Sequence, residues 1–291
     1  MFVIKIYMQD KSIRGAKLVQ RSMTGEVYRL TDGNFLKLFE PTLRKVLNKD
    51  HSLERKIMSA RPIVGVPEII VPKKGVYNMQ NQFVGYVVPP AEGVNLNSYQ
   101  ISLTPEQRSS LHEYGKLFYN ISDAVERGNK RNIVFPDLCT CDNIFVNDGK
   151  ISFIDYDGIQ VGKHEVYCIS TTLGSELQYH NDKYMNGELF TSELDKKSLV
   201  LLYFLLTFNI DLNKIGQKNP VTGETITLYS IFDLLGLQDY DLMQKVYNTL
   251  SSNKKGESIK EDVVRIAEEY DMHCFEPING CHYIKKLTKK Q

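Results

Sequence analysis

Asp137, Asn143 and Asp155 are the side chains in this sequence whose types and spacing most plainly suit chemistry. Asn143-Ile-Phe-Val146 and Lys150-Ile-Ser-Phe-Ile154 read as two short apolar strands, joined by the turn signal Asn147-Asp148-Gly149, whose residues tolerate positive φ. A hairpin brings its open ends together, so Asn143 is expected beside Asp155, with Asp137 on the loop that feeds in. Two carboxylates and an amide then converge as oxygen donors, which suits a hard cation such as magnesium holding phosphate oxygens. Asp and Asn are also favoured at turns for local hydrogen bonding alone. The rest of the chain must decide between the two.

A second charged group stands out upstream. Residues 16–39 read as strand, turn, strand, Asp-Gly turn, strand, an antiparallel meander that places Lys37 within the apolar run Phe35-Leu-Lys-Leu-Phe39. An ammonium in such a strand calls for a buried anion. Glu54, on the helix expected over residues 50–58 with Asp50 or Ser52 as its cap, is the expected partner. Two more strands are expected at Pro67–Pro72 and Gln82–Val88, before Pro89-Pro90-Ala-Glu-Gly93 breaks the ladder and marks a boundary.

In this order the residues resemble the protein kinase superfamily, in a divergent bacterial-type Ser/Thr form. Asp137-Leu138 followed by Asn143 resembles the catalytic loop, and Ile154-Asp155-Tyr156-Asp157-Gly158 resembles the metal-binding segment. Gly25-x-Val27 is similar to the end of the Gly-rich loop, Lys37 to the phosphate-contacting lysine, and Glu54 to its helix partner. Pro89-Pro90-Ala-Glu-Gly93 looks like the hinge between lobes, where backbone groups near Val87 and Val88 would meet adenine. Asp195-x-x-Ser198-Leu199 resembles the opening of the central helix, whose Asp braces the catalytic loop.

The resemblance implies an α+β bilobal fold: residues 1–90 as a small antiparallel nucleotide-binding lobe, and 91–291 as a larger helical lobe. It implies ATP and Mg2+ as cofactors, a protein Ser or Thr hydroxyl as acceptor, Asp137 orienting that hydroxyl, and Asn143 and Asp155 holding the metal. There are departures from the pattern. Gln20 and Ser22 replace two glycines, Phe135-Pro136 stands in place of His-Arg, and Asn143 follows Asp137 by six residues rather than five. These leave a pseudokinase, acting as a nucleotide-binding or regulatory module, as an alternative; a small-molecule kinase and an AMP transferase are others.

The remaining elements are helical. Leu111, Tyr114, Leu117, Phe118, Ile121, Ala124 and Val125 recur at helical spacing after a Thr104/Gln107 capping box, and residues 195–207 are apolar nearly all round. Shorter helices are expected near 230–235, 241–250 and 258–270. Residues 159–187 read as an irregular segment rich in hydroxyls, among them Tyr167, Ser170 and Thr171.

Composition narrows the partners. With 36 basic against 35 acidic residues, a net charge of +1 supplies no bulk field for nucleic acid or an anionic membrane. The longest apolar run, Leu199–Leu206, falls well short of the roughly 20 residues that span a bilayer. Five cysteines without a regular framework fit a reducing cytoplasm. Cys139 and Cys141 flank the catalytic loop, while His273-Cys274 and Cys281-His282 match no zinc-finger spacing.

Overall fold

The computed structural model describes residues 3–11, 13–22, 24–102, 111–138, 141–164, 166, 189–207, 240–252, 275–278 and 281–284. It is a mixed α+β structure with a mostly antiparallel main sheet and six helices among the described residues. The sheet contains β1 (Ile4–Tyr7), β2 (Lys17–Ser22), β3 (Gly25–Arg29), β4 (Phe35–Phe39), β5 (Lys74–Tyr77) and β6 (Phe83–Val88), in the order β1-β5-β6-β4-β3-β2. Only β1 and β5 run parallel.

The sheet buries both faces. Leu36, Leu38, Val76, Val84 and Val87 turn to one side and pack with Ile6, Ile13 and Leu30. Phe39, Tyr77, Phe83 and Tyr86 turn to the other and join the main core. Val27 pairs with Lys37, and Lys37 with Tyr86, across three adjacent strands. Directly opposed residues of antiparallel strands project to the same face, so these three side chains form a row on the main-core side.

Two helices, not one, follow β4. The first, α1 (Pro41–Asp50), is additional to the sequence expectation: Glu40 caps it by accepting from Thr42 N at 2.7 Å, and Pro41 occupies the position where a missing amide costs nothing. His51, at φ 55°, ends that helix and turns the chain into α2 (Ser52–Ser59).

The strand expected at Pro67–Pro72 is not a member of the sheet. Prolines at both ends deny it ladder donors, and Ile69 makes a single parallel bridge to Phe153 instead. Its backbone still ties in: Phe153 N donates to Glu68 O at 2.8 Å and Ile70 N to Phe153 O at 2.9 Å. Arg127 reinforces this link through Glu68 at 2.7 Å. The sheet position goes to β5, in a stretch whose Lys-Lys-Gly opening reads as a turn.

Beyond Val88 the chain forms β7 (Val94–Asn95), α3 (Leu96–Ser102) and α4 (Leu111–Asn129). Next come β8 (Ile133–Val134), β9 (Ile144–Asn147), β10 (Lys150–Phe153) and β11 (Gln160–Val161), with β10-β9-β7 forming one small sheet and β11-β8 another. Helices α5 (Ser192–Thr207) and α6 (Tyr240–Ser252) pack with α4. Leu117, Phe118, Ile121, Ala124 and Val125 of α4 are all buried, as their spacing requires, and the Phe118 and Tyr203 rings meet edge-on at 5.1 Å. Leu242, Val246 and Leu250 of α6 are buried as well.

A hairpin of β12 (Phe275–Ile278) and β13 (Cys281–Ile284) is additional to expectation. The Thr104/Gln107 cap, the side chains of Leu111 and Tyr114, the helices expected near 230 and 258, and the hydroxyls at 167, 170 and 171 lie outside the described residues. So do Cys139, His273, Cys274 and the side chains of Cys281 and His282. No helix among the described residues is long and apolar enough to cross a membrane.

Candidate functional site

The β9–β10 hairpin turns through Asp148 at φ 48° and Gly149 at φ 75°, the two successive positive values that a two-residue turn matching strand twist demands. Its open end brings the expected residues together. Ile154 N donates to Asn143 O at 3.0 Å, and the Asn143 amide nitrogen donates to the Asp137 carboxylate at 2.9 Å. A 3-10 turn covers Cys141–Asn143, immediately before β9. Asp155 follows in the left-handed region, φ 63° and ψ 54°, a conformation that Asp tolerates better than most side chains. A second 3-10 turn, Tyr156–Gly158, is closed by Gly158 N donating to Asp155 O at 2.8 Å. Asp137, Asn143 and Asp155 line one cavity of about 20 Å³, room for an ion or a water.

Lys37 reaches this turn from β4. It is 7% exposed, contacts the Asp155 carboxylate, and donates to both Asp157 oxygens at 3.0 Å. Burial alone would lower its pKa, but the charges of Asp155 and Asp157 outweigh that and hold the ammonium above its ordinary value. Asp157 is 1% exposed and also accepts from the Tyr86 hydroxyl. Burial works to raise its pKa, yet Lys37, the Tyr86 hydroxyl and Lys56 together keep it below the usual carboxylate range. Asp155, with 28% of its side chain exposed, is shifted the other way by burial and by the like charge of Asp157.

Asp195, at the start of α5, is fully buried and accepts from Phe135 N at 2.8 Å, two residues before Asp137. With its amide turned to the orientation that satisfies both ends, Asn129 donates to the other Asp195 oxygen at 2.8 Å. The brace on the loop is therefore present. Burial raises the pKa of Asp195, and these donors oppose the shift.

Other expectations need correction. Glu54 does not pair with Lys37: its carboxylate accepts from the Tyr77 hydroxyl at 2.7 Å and meets His51 at 2.7 Å. Helix α2 turns Leu53, Lys56 and Ile57 inward at three- and four-residue spacing, and Glu54 falls on a different face. Val87 turns its side chain to the far face of the sheet, and its carbonyl accepts from Lys73 N at 2.8 Å. Val88, in register with Phe35, lies on the same face as Lys37, as does Val27.

Gly25 has a packing reason to be glycine, since a Cβ there would collide with the Leu38 carbonyl of the neighbouring strand. Close approach of strands, rather than of a phosphate, accounts for it. Cys141 is buried, and its thiol is pushed up to about 12, which removes the thiolate that redox chemistry needs.

Two groups at the site, Tyr86 and Lys56, were missed from sequence, and Asp157 was read only as part of the segment around Asp155. The available signal for Lys56 is its place on the apolar stripe of its helix.

Comparison with known proteins returns no matching family model and no matching curated protein.

Proposed function

We propose that this chain is a bilobal, kinase-like phosphotransferase that uses Mg2+ and ATP to move the γ-phosphate onto a protein hydroxyl in a reducing cytoplasm. The observation that carries this reading is the convergence of Asp137, Asn143 and Asp155 around one cavity, with the Lys37 ammonium held on the Asp155 carboxylate. The donor set fits the metal. Carboxylate and amide oxygens suit a hard cation that retains water and substrate oxygens as further ligands.

Asn143 and Asp155 would hold Mg2+, which neutralises phosphate charge when bound. Lys37 adds positive charge for the phosphate oxygens, and Val27 and Val88 offer apolar surface beside it for the base. Asp137, fixed by Asn143 and by the loop that Asp195 braces, would accept a hydrogen bond from the acceptor hydroxyl and orient it. Its pull on the hydroxyl proton is that of a positioned carboxylate, while most of the acceleration would come from orientation and charge. The Asp195 brace favours a protein acceptor, because the resemblance links that feature to protein-directed members.

A nucleotide-binding module without turnover is the second reading. Favouring it, Lys37 is already committed to two carboxylates. Incubation with Mg2+ and ATP labelled at the γ or the α position separates the readings. Protein label from γ-ATP, lost in Asp137→Asn and Asp155→Asn, supports the kinase; label only on a small acceptor supports a small-molecule kinase. Label from α-ATP supports AMP transfer. Thermal stabilisation without label supports the binding module, and no binding of Mg-ATP at all refutes every one of these.

A further inference from the structure

Helix α2 contributes a cation to the site where an anion was expected. Lys56 is 1% exposed, and its ammonium donates to the Asp157 carbonyl at 3.0 Å while lying 5.6 Å from the centre of the Tyr156 ring. Asp157 is thus gripped at both ends. Its carbonyl is held by α2, and its carboxylate by Lys37 of β4 and Tyr86 of β6. Burial pushes the Lys56 ammonium down to about 8, and the carboxylates of Asp157 and Asp155 oppose that shift in part.

The anchor for the sheet lysine therefore comes from the turn that carries Asp155, 120 residues away from Lys37, and not from the helix acid. Glu54 faces Tyr77 and His51 instead. Any shift of α2 would pull on the Asp157 carbonyl, and through it on the two residues that flank Tyr156.

We propose that Asp157 and Lys56 are positioning residues of the phosphotransfer site: Asp157 sets the reach of Lys37, and Lys56 fixes the turn that presents Asp155. This rests on the phosphotransferase reading above. It deepens that reading by making α2, through a lysine, the element that governs metal and nucleotide capture.

The test compares wild type, Lys56→Met, Tyr86→Phe and Glu54→Gln. Mn2+ binding is followed by electron paramagnetic resonance with a non-hydrolysable ATP analogue, at a temperature where thermal melts show each protein folded. Loss of an outer partner typically weakens metal affinity by about 10- to 100-fold, and that is the fall expected for Lys56→Met, with Glu54→Gln unchanged. Tyr86→Phe, which deletes one hydroxyl and leaves Lys37 in place, should weaken binding in the same direction and carries the test if Lys56→Met does not fold.

A lower melting temperature with unaltered Mn2+-nucleotide affinity in Lys56→Met, or in Tyr86→Phe where that variant stands in, would overturn the proposal, since a merely structural lysine behaves that way. So would Glu54→Gln losing as much affinity as Lys56→Met. Failure of the wild type to bind Mn2+ and nucleotide removes the phosphotransferase reading itself, and this inference with it.

Discussion

Lys37→Met tests the central ion cluster through stability, independently of any reaction. In the wild type the ammonium meets the Asp155 carboxylate and both oxygens of Asp157. Deleting it leaves two carboxylates of very different exposure: Asp155, at 28%, can rehydrate, whereas Asp157, at 1%, cannot. Breaking a buried pair by removing one partner costs about 3–5 kcal/mol, and the lower end applies because Tyr86 still donates to Asp157. In a chain of this size about 3 kcal/mol corresponds to a melting temperature lower by roughly 6–12 °C.

The pH dependence supplies the sharper signature. In the wild type the folded pKa of Asp157 lies below its unfolded value, so its contribution is fully present above that unfolded value and is lost only as pH falls through the depressed one. Removing Lys37 takes away its charge and its hydrogen bond and leaves only the Tyr86 hydroxyl and Lys56 against burial, so the folded pKa of Asp157 rises from its wild-type position. The variant's deficit relative to wild type then grows as pH rises from the wild-type folded value through the variant's higher one. Urea unfolding followed by circular dichroism from acid to neutral pH should show wild type and variant converging toward acid and separating toward neutrality. A gap that stays constant over that range, or no gap at neutral pH, would refute the buried pairing of Lys37 with Asp157.

Asp195→Ala should destabilise the fold by about 1–3 kcal/mol in urea titrations, because it strands the Phe135 amide and the Asn129 side chain while relieving a buried carboxylate. The folded pKa of Asp195 lies above its unfolded value, so its contribution falls as pH rises through that interval, and Asp195→Asn should remove this slope. Gly85→Ala puts a Cβ against the Lys37 carbonyl and should cost about 1–3 kcal/mol by forcing β4 and β6 apart; a melting temperature equal to wild type would refute the close approach. Cys141, buried with its thiol pushed up to about 12, should stay unmodified when the native protein is briefly alkylated and mapped by mass spectrometry, and should react once the protein is unfolded.

What could be read in the sequence was local, and what could not was the choice of partner. Asn147-Asp148-Gly149 specified its hairpin because few residues accept two positive φ values in succession, and from that turn the nearness of Asn143 to Asp155 followed. The stripes of α4 and α6 were legible because 3.6-residue periodicity is imposed by the backbone itself. The demand of Lys37 for a buried anion was legible too, yet Glu54, Asp155 and Asp157 all carry a carboxylate. Which of them answers depends on the rotation of α2 and on the reach of a turn more than a hundred positions away. Lys56 illustrates the same limit from the other side: its place between Leu53 and Ile57 marked it as inward-facing, but only the packed structure supplies the Asp157 carbonyl that makes this tolerable. The Pro67–Pro72 stretch misled because its β-branched interior resembles a strand while its ends cannot donate to one.

Sheet register is the quantity on which the site depends most. Val27, Lys37 and Tyr86 share a face only because β3, β4 and β6 pair as they do. A slip of one residue in β4 would send Lys37 to the side packed by Leu36 and Leu38, and would turn those leucines toward Asp157. Gly25 and Gly85 resist such a slip from either side of β4, since each sits against one of its carbonyls, those of Leu38 and Lys37, where any other residue would bring a Cβ into collision. The same glycine that resembles part of a phosphate loop therefore has a packing role: it helps keep the strand in the alignment that delivers the ammonium to its carboxylates.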